Sequence, residues 1–310
     1  MMEHVKNIPE NTAIERELIH ITTQDQYRLT GYHYRSVHHP HVATLIVAGA
    51  TGVPQAFYRR FAEYMATLGY QVITFDYRGI GQSKPPTLKG FEMSYLDWGR
   101  VDLAQVIDHF FDQNLPLFVV GHSYGGHALG LLPNYEKITA FYTLGTGAGW
   151  SGYMPKVERL KVQLMWNVVF PLMVKKAGYL PWSKLNMGED LPLNVYQLWR
   201  KWCKNPHYCF EDTEYTFLHE MYAKINIPLY AAVALDDAWA LPKSRDVFMS
   251  YYKNADLHLI DLAPKSFGLS EIGHMGYFRK NANEIWNKVA KTFEQYLIEP
   301  KIKHSYFYQN

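Results

Sequence analysis

What most constrains this chain is an alternation between two kinds of segment. Short apolar runs recur between longer stretches whose apolar residues fall three or four positions apart. The runs include Ala43–Val47, Tyr70–Phe75 and Leu117–Val120, with Ile138–Leu144, Leu229–Ala234 and Leu257–Leu262 as further strand candidates. A strand that is apolar throughout needs cover on both faces, which a mainly parallel sheet between helices provides. The longer stretches supply that cover. Pro54–Leu68 places Phe57, Phe61, Met65 and Leu68 at helical spacing and closes on Gly69. Ser94–Phe111 carries Leu96, Leu103, Ile107 and Phe110 in the same way, and Ala282–Leu297 carries Ile285, Val289 and Phe293. Ahead of these, residues 15–35 alternate loosely and suit an antiparallel strand pair. The expected class is α/β.

One stretch breaks the rhythm. Residues 150–225 hold several prolines, no clear buried strand, and Trp166, Trp182, Trp199 and Trp202. They are expected to form a mostly helical insertion in a core made of residues 1–149 and 226–310. The aromatic content is otherwise hard to place, because 24 Tyr, 16 Phe and 8 Trp exceed what such a core requires.

Charge and cysteine content exclude several function classes. With 31 Lys+Arg against 29 Asp+Glu and no basic run, a general nucleic-acid binder is not expected. No apolar run approaches the roughly 20 residues of a membrane span. Met1-Met2-Glu3-His4-Val5-Lys6 contains no apolar signal core, so a cytoplasmic location is expected. Cys203 and Cys209 offer neither a disulfide framework nor a four-ligand zinc site. His38, His39 and His41 lie in a polar turn with no carboxylate or cysteine beside them, which reads as a solvated turn. No metal and no cofactor are expected.

The chemistry is concentrated at Gly121-His122-Ser123-Tyr124-Gly125, which follows the run Leu117–Val120. A serine at a sharp strand-to-helix turn needs small residues two before and two after it, so that strand and helix approach closely. Its oxygen then projects above the strand end, beside a helix N-terminus that favours developing negative charge. His122 and His127 are too close in sequence to act as its base and read as packing or pocket-lining residues.

On this motif the chain resembles the α/β-hydrolase superfamily. The resemblance implies an α/β-hydrolase fold, a mainly parallel central sheet with helices on both faces, with residues 150–225 as a cap. It also implies a triad in the order serine, acid, histidine. Leu235-Asp236-Asp237-Ala238-Trp239 stands where the family's acid lies, and Ile272-Gly273-His274-Met275-Gly276 where its histidine lies. Members often carry a proline about four residues after the acid. Pro242 makes Asp237 the nearer fit, with Asp236 as a turn or capping residue. The catalytic assignment is Ser123, His274 and Asp237.

An oxyanion hole needs two backbone N–H donors. By resemblance one comes from Tyr124 and the other from Val47-Ala48-Gly49-Ala50-Thr51-Gly52, where Ala50 or Thr51 can serve; Ala50 is the expected donor. Ala48 stands where many members have histidine, and this loop is similar to that of homoserine acetyltransferase-like members. Phe75-Asp76-Tyr77-Arg78-Gly79-Ile80-Gly81-Gln82-Ser83 is similar to a D-x-R-G-x-G-x-S turn of the superfamily. Its Asp76 and Arg78 are expected to make structural hydrogen bonds, since no Gly-Lys-Ser/Thr follows to make it a phosphate loop. Serine at 123 argues against epoxide hydrolases and haloalkane dehalogenases, which use aspartate there.

The expected activity is a serine hydrolase cleaving an ester, thioester or related acyl bond through an acyl-enzyme. An acyltransferase using the same triad is the alternative, and a non-catalytic ligand-binding member is a third. Peptidase activity is weaker, for want of an acidic cluster to grip a substrate amine. The expected partner is a small acyl substrate with a partly apolar or aromatic portion, to suit the rings of residues 150–225.

Overall fold

The computed structural model describes residues 13–38 and 40–297. The N-terminal hexapeptide and His39 of the polar turn lie outside them. Eight strands form one sheet: β1 (Ile14–Thr22), β2 (Arg28–Ser36), β3 (Ala43–Ala48), β4 (Tyr70–Phe75), β5 (Leu117–His122), β6 (Ala140–Leu144), β7 (Pro228–Ala234) and β8 (Asp256–Leu262). Their order is β1-β2-β4-β3-β5-β6-β7-β8. β1 pairs with β2 and β2 with β4 in antiparallel fashion, while every later pair is parallel.

The helices are α1 (Arg59–Thr67), α2 (Ala104–Phe110), α3 (Tyr124–His127), α4 (Lys156–Leu164), α5 (Phe170–Ala177), α6 (Leu193–Trp202), α7 (Leu218–Ala223), α8 (Pro242–Met249) and α9 (Asn283–Glu294). Every residue of β3, β5 and β6 is buried, as continuous apolar runs require. Alternation along the strands divides them between two cores. Leu45, Val47, Phe118 and Val120 meet Phe61 and Met65 of α1 and Ile285, Val289 and Phe293 of α9. On the opposite face, Ile46, Ile73 and Val119 join Val106 and Ile107 of α2 and continue into Trp166, Trp182 and Trp202. The segment between β6 and β7 therefore shares its core with one face of the sheet.

Two helices depart from the sequence pattern. The Ser94–Phe111 stretch holds a π-helical turn at Trp98–Leu103 before α2 begins. There Asp102 accepts hydrogen bonds from the Arg78 backbone N–H and Nε, and the Trp98 indole donates to the Arg78 carbonyl. The helix after Ser123 is short: α3 passes into a 3-10 turn, and Leu132 is extended ahead of Pro133. A residue before proline is pushed out of the helical region, which sets that limit. The turn after β4 is held as expected, with Asp76 accepting from the Gln55 and Gln82 N–H groups at 2.7 and 2.9 Å.

Candidate active site

Ser123 stands at the end of β5 with φ +50° and ψ −108°. A non-glycine residue keeps such angles only where its surroundings over-determine them. Its N–H donates to the Leu144 carbonyl at 2.9 Å. Its own carbonyl accepts from the Thr146 hydroxyl at 2.9 Å and from the Gly126 N–H at 3.0 Å. The glycines at 121 and 125 are steric necessities. A Cβ on Gly125 would sit 2.0 Å from the Ala48 carbonyl oxygen, and one on Gly121 2.5 Å from the Gly125 carbonyl carbon.

Two loops from the far half of the sheet meet this serine. Asp237 follows β7 and His274 follows β8. His274 Nε2 lies 3.0 Å from Ser123 Oγ, and its Nδ1 lies 3.0 and 2.9 Å from the two Asp237 oxygens. Asp237 also accepts from the Trp239 and Ala240 N–H groups at 3.0 and 3.2 Å and from the Tyr277 hydroxyl at 2.8 Å. Burial pushes the Asp237 carboxyl up, but His274, the Tyr277 hydroxyl and the Trp239 N–H outweigh it and hold the group below the usual carboxylate range. An ionised Asp237 can only accept, so it fixes the proton on His274 Nδ1 and leaves Nε2 facing Ser123 as an acceptor.

The neighbouring aspartate does something else. Asp236 accepts from the Ile272 and Gly273 N–H groups at 2.9 and 3.1 Å, pinning the loop that delivers His274. Tyr277 joins the site without any mark in the local sequence pattern. It accepts from the Ala234 N–H at 2.8 Å while donating to Asp237, and the Trp286 indole of α9 holds its carbonyl.

Behind the histidine runs a buried relay. His122 Nε2 donates to the His274 carbonyl at 2.8 Å, so its Nδ1 is left to accept from the Tyr58 hydroxyl at 3.0 Å. Burial, then the neighbouring His274, pushes the His122 pKa down to about 3, so it is neutral. The Tyr58 hydroxyl in turn accepts from the Ala50 N–H at 2.8 Å. This corrects one expectation: the Ala50 N–H is committed to Tyr58 and is not free for an oxyanion. Among the described residues, the Thr51 and Tyr124 N–H groups take no hydrogen-bond partner. Thr51 is further fixed by its hydroxyl, 3.0 Å from that of Tyr95.

A hydrolase family model described as serine aminopeptidase, S33, matches residues 38–255. The chain belongs to this family. It is thereby a member of the α/β-hydrolase superfamily. Over 144 residues the chain is 29% identical to a monoglyceride lipase of Saccharomyces cerevisiae, covering 43% of this chain and 41% of the lipase. The chain thus spans about two fifths of that curated relative's length. A solved structure of a soluble variant of monoglyceride lipase from Saccharomyces cerevisiae, in complex with a substrate analogue, superposes with a TM-score of 0.68 at 15% identity. It covers 94% of this chain and 98% of that one. An esterase from Pyrococcus furiosus gives a TM-score of 0.57 at 14% identity, covering 92% and 94%. The family match ends before β8, so His274 rests on geometry.

Ser123 opens onto a cavity of about 250 Å³, walled by Trp182, Trp199, Trp239, Met187, Met275 and Tyr208 among others. His127 lines it too, whereas His122 lies behind His274. An aromatic series links the segment between β6 and β7 to the site. Trp166 packs on Trp199 with centroids 4.9 Å apart, Trp199 stacks on Trp239 at 6.2 Å, and Trp239 lies 6.3 Å from the His274 ring. Trp202 belongs to a different group. It packs on Tyr95 at 5.7 Å, and its indole donates to Asp212 at 2.9 Å. The same segment touches the loop after β3 directly, where the Glu189 N–H donates to the Gly52 carbonyl at 2.8 Å, and the turn after β4, where Lys84 pairs with the Glu189 carboxylate. Among the described residues no group of three His, Cys, Asp or Glu could hold a metal, and no helix is long and apolar enough to cross a membrane.

Proposed function

We propose that this chain hydrolyses a carboxylic ester through an acyl-enzyme on Ser123. The observation that carries the reading is the unbroken line from the Ser123 hydroxyl through His274 to a buried, charged Asp237. Ser123 Oγ attacks the acyl carbonyl and passes its proton to His274 Nε2, while Asp237 stabilises the imidazolium. The Thr51 and Tyr124 N–H groups meet the tetrahedral oxyanion. His274 then returns the proton to the departing alcohol, and a water activated by the same histidine releases the acid.

An ester suits the cavity better than a peptide amine does. No Asp or Glu is among the residues lining it, so nothing there would grip a free amino terminus. The relatives named above, a monoglyceride lipase and an esterase, support the same choice. Residues 150–225 act as a cap whose tryptophans and methionines hold the apolar part of the substrate. A fluorophosphonate probe should label Ser123 in the wild-type protein and fail on Ser123→Ala. Wild-type protein that stays unlabelled beside a labelled control hydrolase sinks the reading.

A further inference from the structure

The Thr51 and Tyr124 N–H groups come from separate loops, after β3 and after β5. Two such donors stabilise one oxygen only if their spacing is fixed before the reaction begins. One residue is bonded to both of the residues that carry them. Tyr95 lies in the turn ahead of Trp98–Leu103 and is fully buried. Its hydroxyl is 3.0 Å from the Thr51 hydroxyl, for which no other hydrogen-bond partner occurs among the described residues. Its carbonyl accepts from the Tyr124 hydroxyl at 2.8 Å, and the two rings pack with centroids 4.6 Å apart.

Tyr95 has no part in the proton relay. Burial pushes its pKa up, so the hydroxyl keeps its proton and acts only through hydrogen bonds. It is itself gripped by α6. The Tyr95 N–H donates to Asn194 Oδ1 at 3.0 Å in the first turn of that helix, and Trp202 at the other end packs on the Tyr95 ring at 5.7 Å. Between these two contacts the same helix carries Trp199, a wall of the Ser123 cavity. The helix that bounds the substrate's space thus also fixes the residue bonded to Thr51 and Tyr124.

We propose that Tyr95 is a positioning residue that holds the Thr51 and Tyr124 N–H donors at a common spacing and ties that spacing to α6. The proposal rests on the ester-hydrolase reading in taking these two N–H groups as the oxyanion's donors. Tyr95 acts through its neighbours and not on the reacting atoms. Its effect therefore falls on the tetrahedral state, where the oxygen carries full charge, and hardly on the bound ester.

Paired substitutions test this. Tyr95→Phe keeps the ring and the carbonyl but removes the hydroxyl; Thr51→Val removes the other end of the same bond and keeps the N–H. On p-nitrophenyl butyrate each should lower kcat at least about tenfold with KM within about twofold. Because both delete one interaction, the double variant should fall no more than about threefold below the worse single one. Asn194→Ala should cost about threefold in kcat, and Asn194→Asp, which keeps an acceptor for the Tyr95 N–H, should restore it. Amide hydrogen exchange over residues 49–53 reads the positioning without turnover and should quicken at least about threefold in Tyr95→Phe. That measurement decides the point in wild-type and variant protein whether or not a fluorophosphonate labels Ser123, and so stands apart from failure of the hydrolase reading. Exchange that is unchanged in Tyr95→Phe overturns the proposal. So does a kcat within about twofold of wild type, or losses from Tyr95→Phe and Thr51→Val that multiply in the double variant.

Discussion

The sheet and the segment between β6 and β7 build the same cavity by different means. At the sheet end, position is set by backbone. Ser123 is locked by hydrogen bonds to Leu144, Thr146 and Gly126, and Asp237 by N–H groups of its own turn. In the segment, position is set by ring against ring, as in Trp166 on Trp199 and Trp199 on Trp239. Backbone locks tolerate almost no displacement, whereas aromatic contacts can repack. The sheet should therefore govern how fast bonds break, and the segment which molecules are held.

Substitutions put that division at risk in turn. Ser123→Ala should lower kcat by at least about 10⁴-fold with the thermal midpoint little changed, measured on p-nitrophenyl butyrate and by calorimetry. Asp237→Asn should cost about 10³- to 10⁴-fold in kcat, because the amide can donate to Nδ1 and upset the tautomer facing Ser123. Tyr58→Phe leaves the Ala50 N–H and His122 Nδ1 without partners in a buried site. A loss of about 10- to 100-fold in kcat at nearly constant KM is expected, together with about 1–3 kcal/mol of stability. Trp199→Ala, from the segment, should raise KM by about tenfold and move kcat far less. If its kcat falls as far as that of Asp237→Asn, the two regions are not separable.

The smallest effect concerns pH. Burial holds His122 and His127 neutral in the fold, with pKa values pushed down to about 3 and about 4. The unfolded chain binds protons on both below about pH 6.5 while the native state does not. Their contribution is therefore complete above pH 6.5 and is lost as the pH falls toward 4. Thermal midpoints recorded between pH 7 and 4 should decline, and His127→Phe should flatten the slope.

Much of the sheet was legible because burial on both faces leaves a mark in the sequence: the runs at 43–47, 70–75 and 117–120 reappear as β3, β4 and β5. Ser123 was legible because steric crowding admits only glycine around it. The choice between Ala50 and Thr51 was not. It turns on a hydroxyl from Tyr58, eight residues on, and no local pattern reports where that hydroxyl points. Tyr277 escaped notice for the same reason, since its partner Asp237 lies 40 residues away. The tryptophans of 150–225 were visible as an excess. Their division between a cavity wall at Trp199 and a tyrosine cluster at Trp202, three residues apart on α6, belongs to tertiary packing alone.

The bond from Glu189 to Gly52 has a consequence for timing. Gly52 directly follows Thr51, and Glu189 sits in the stretch that carries Trp182 and Met187 over the serine. A movement of that stretch wide enough to admit a bulky molecule would break the bond and release the loop on which Thr51 is mounted. Access and competence would then be mutually exclusive states. The open form could load but would react slowly, and water arriving before the substrate would meet a serine with the Tyr124 N–H alone in place to stabilise the anion.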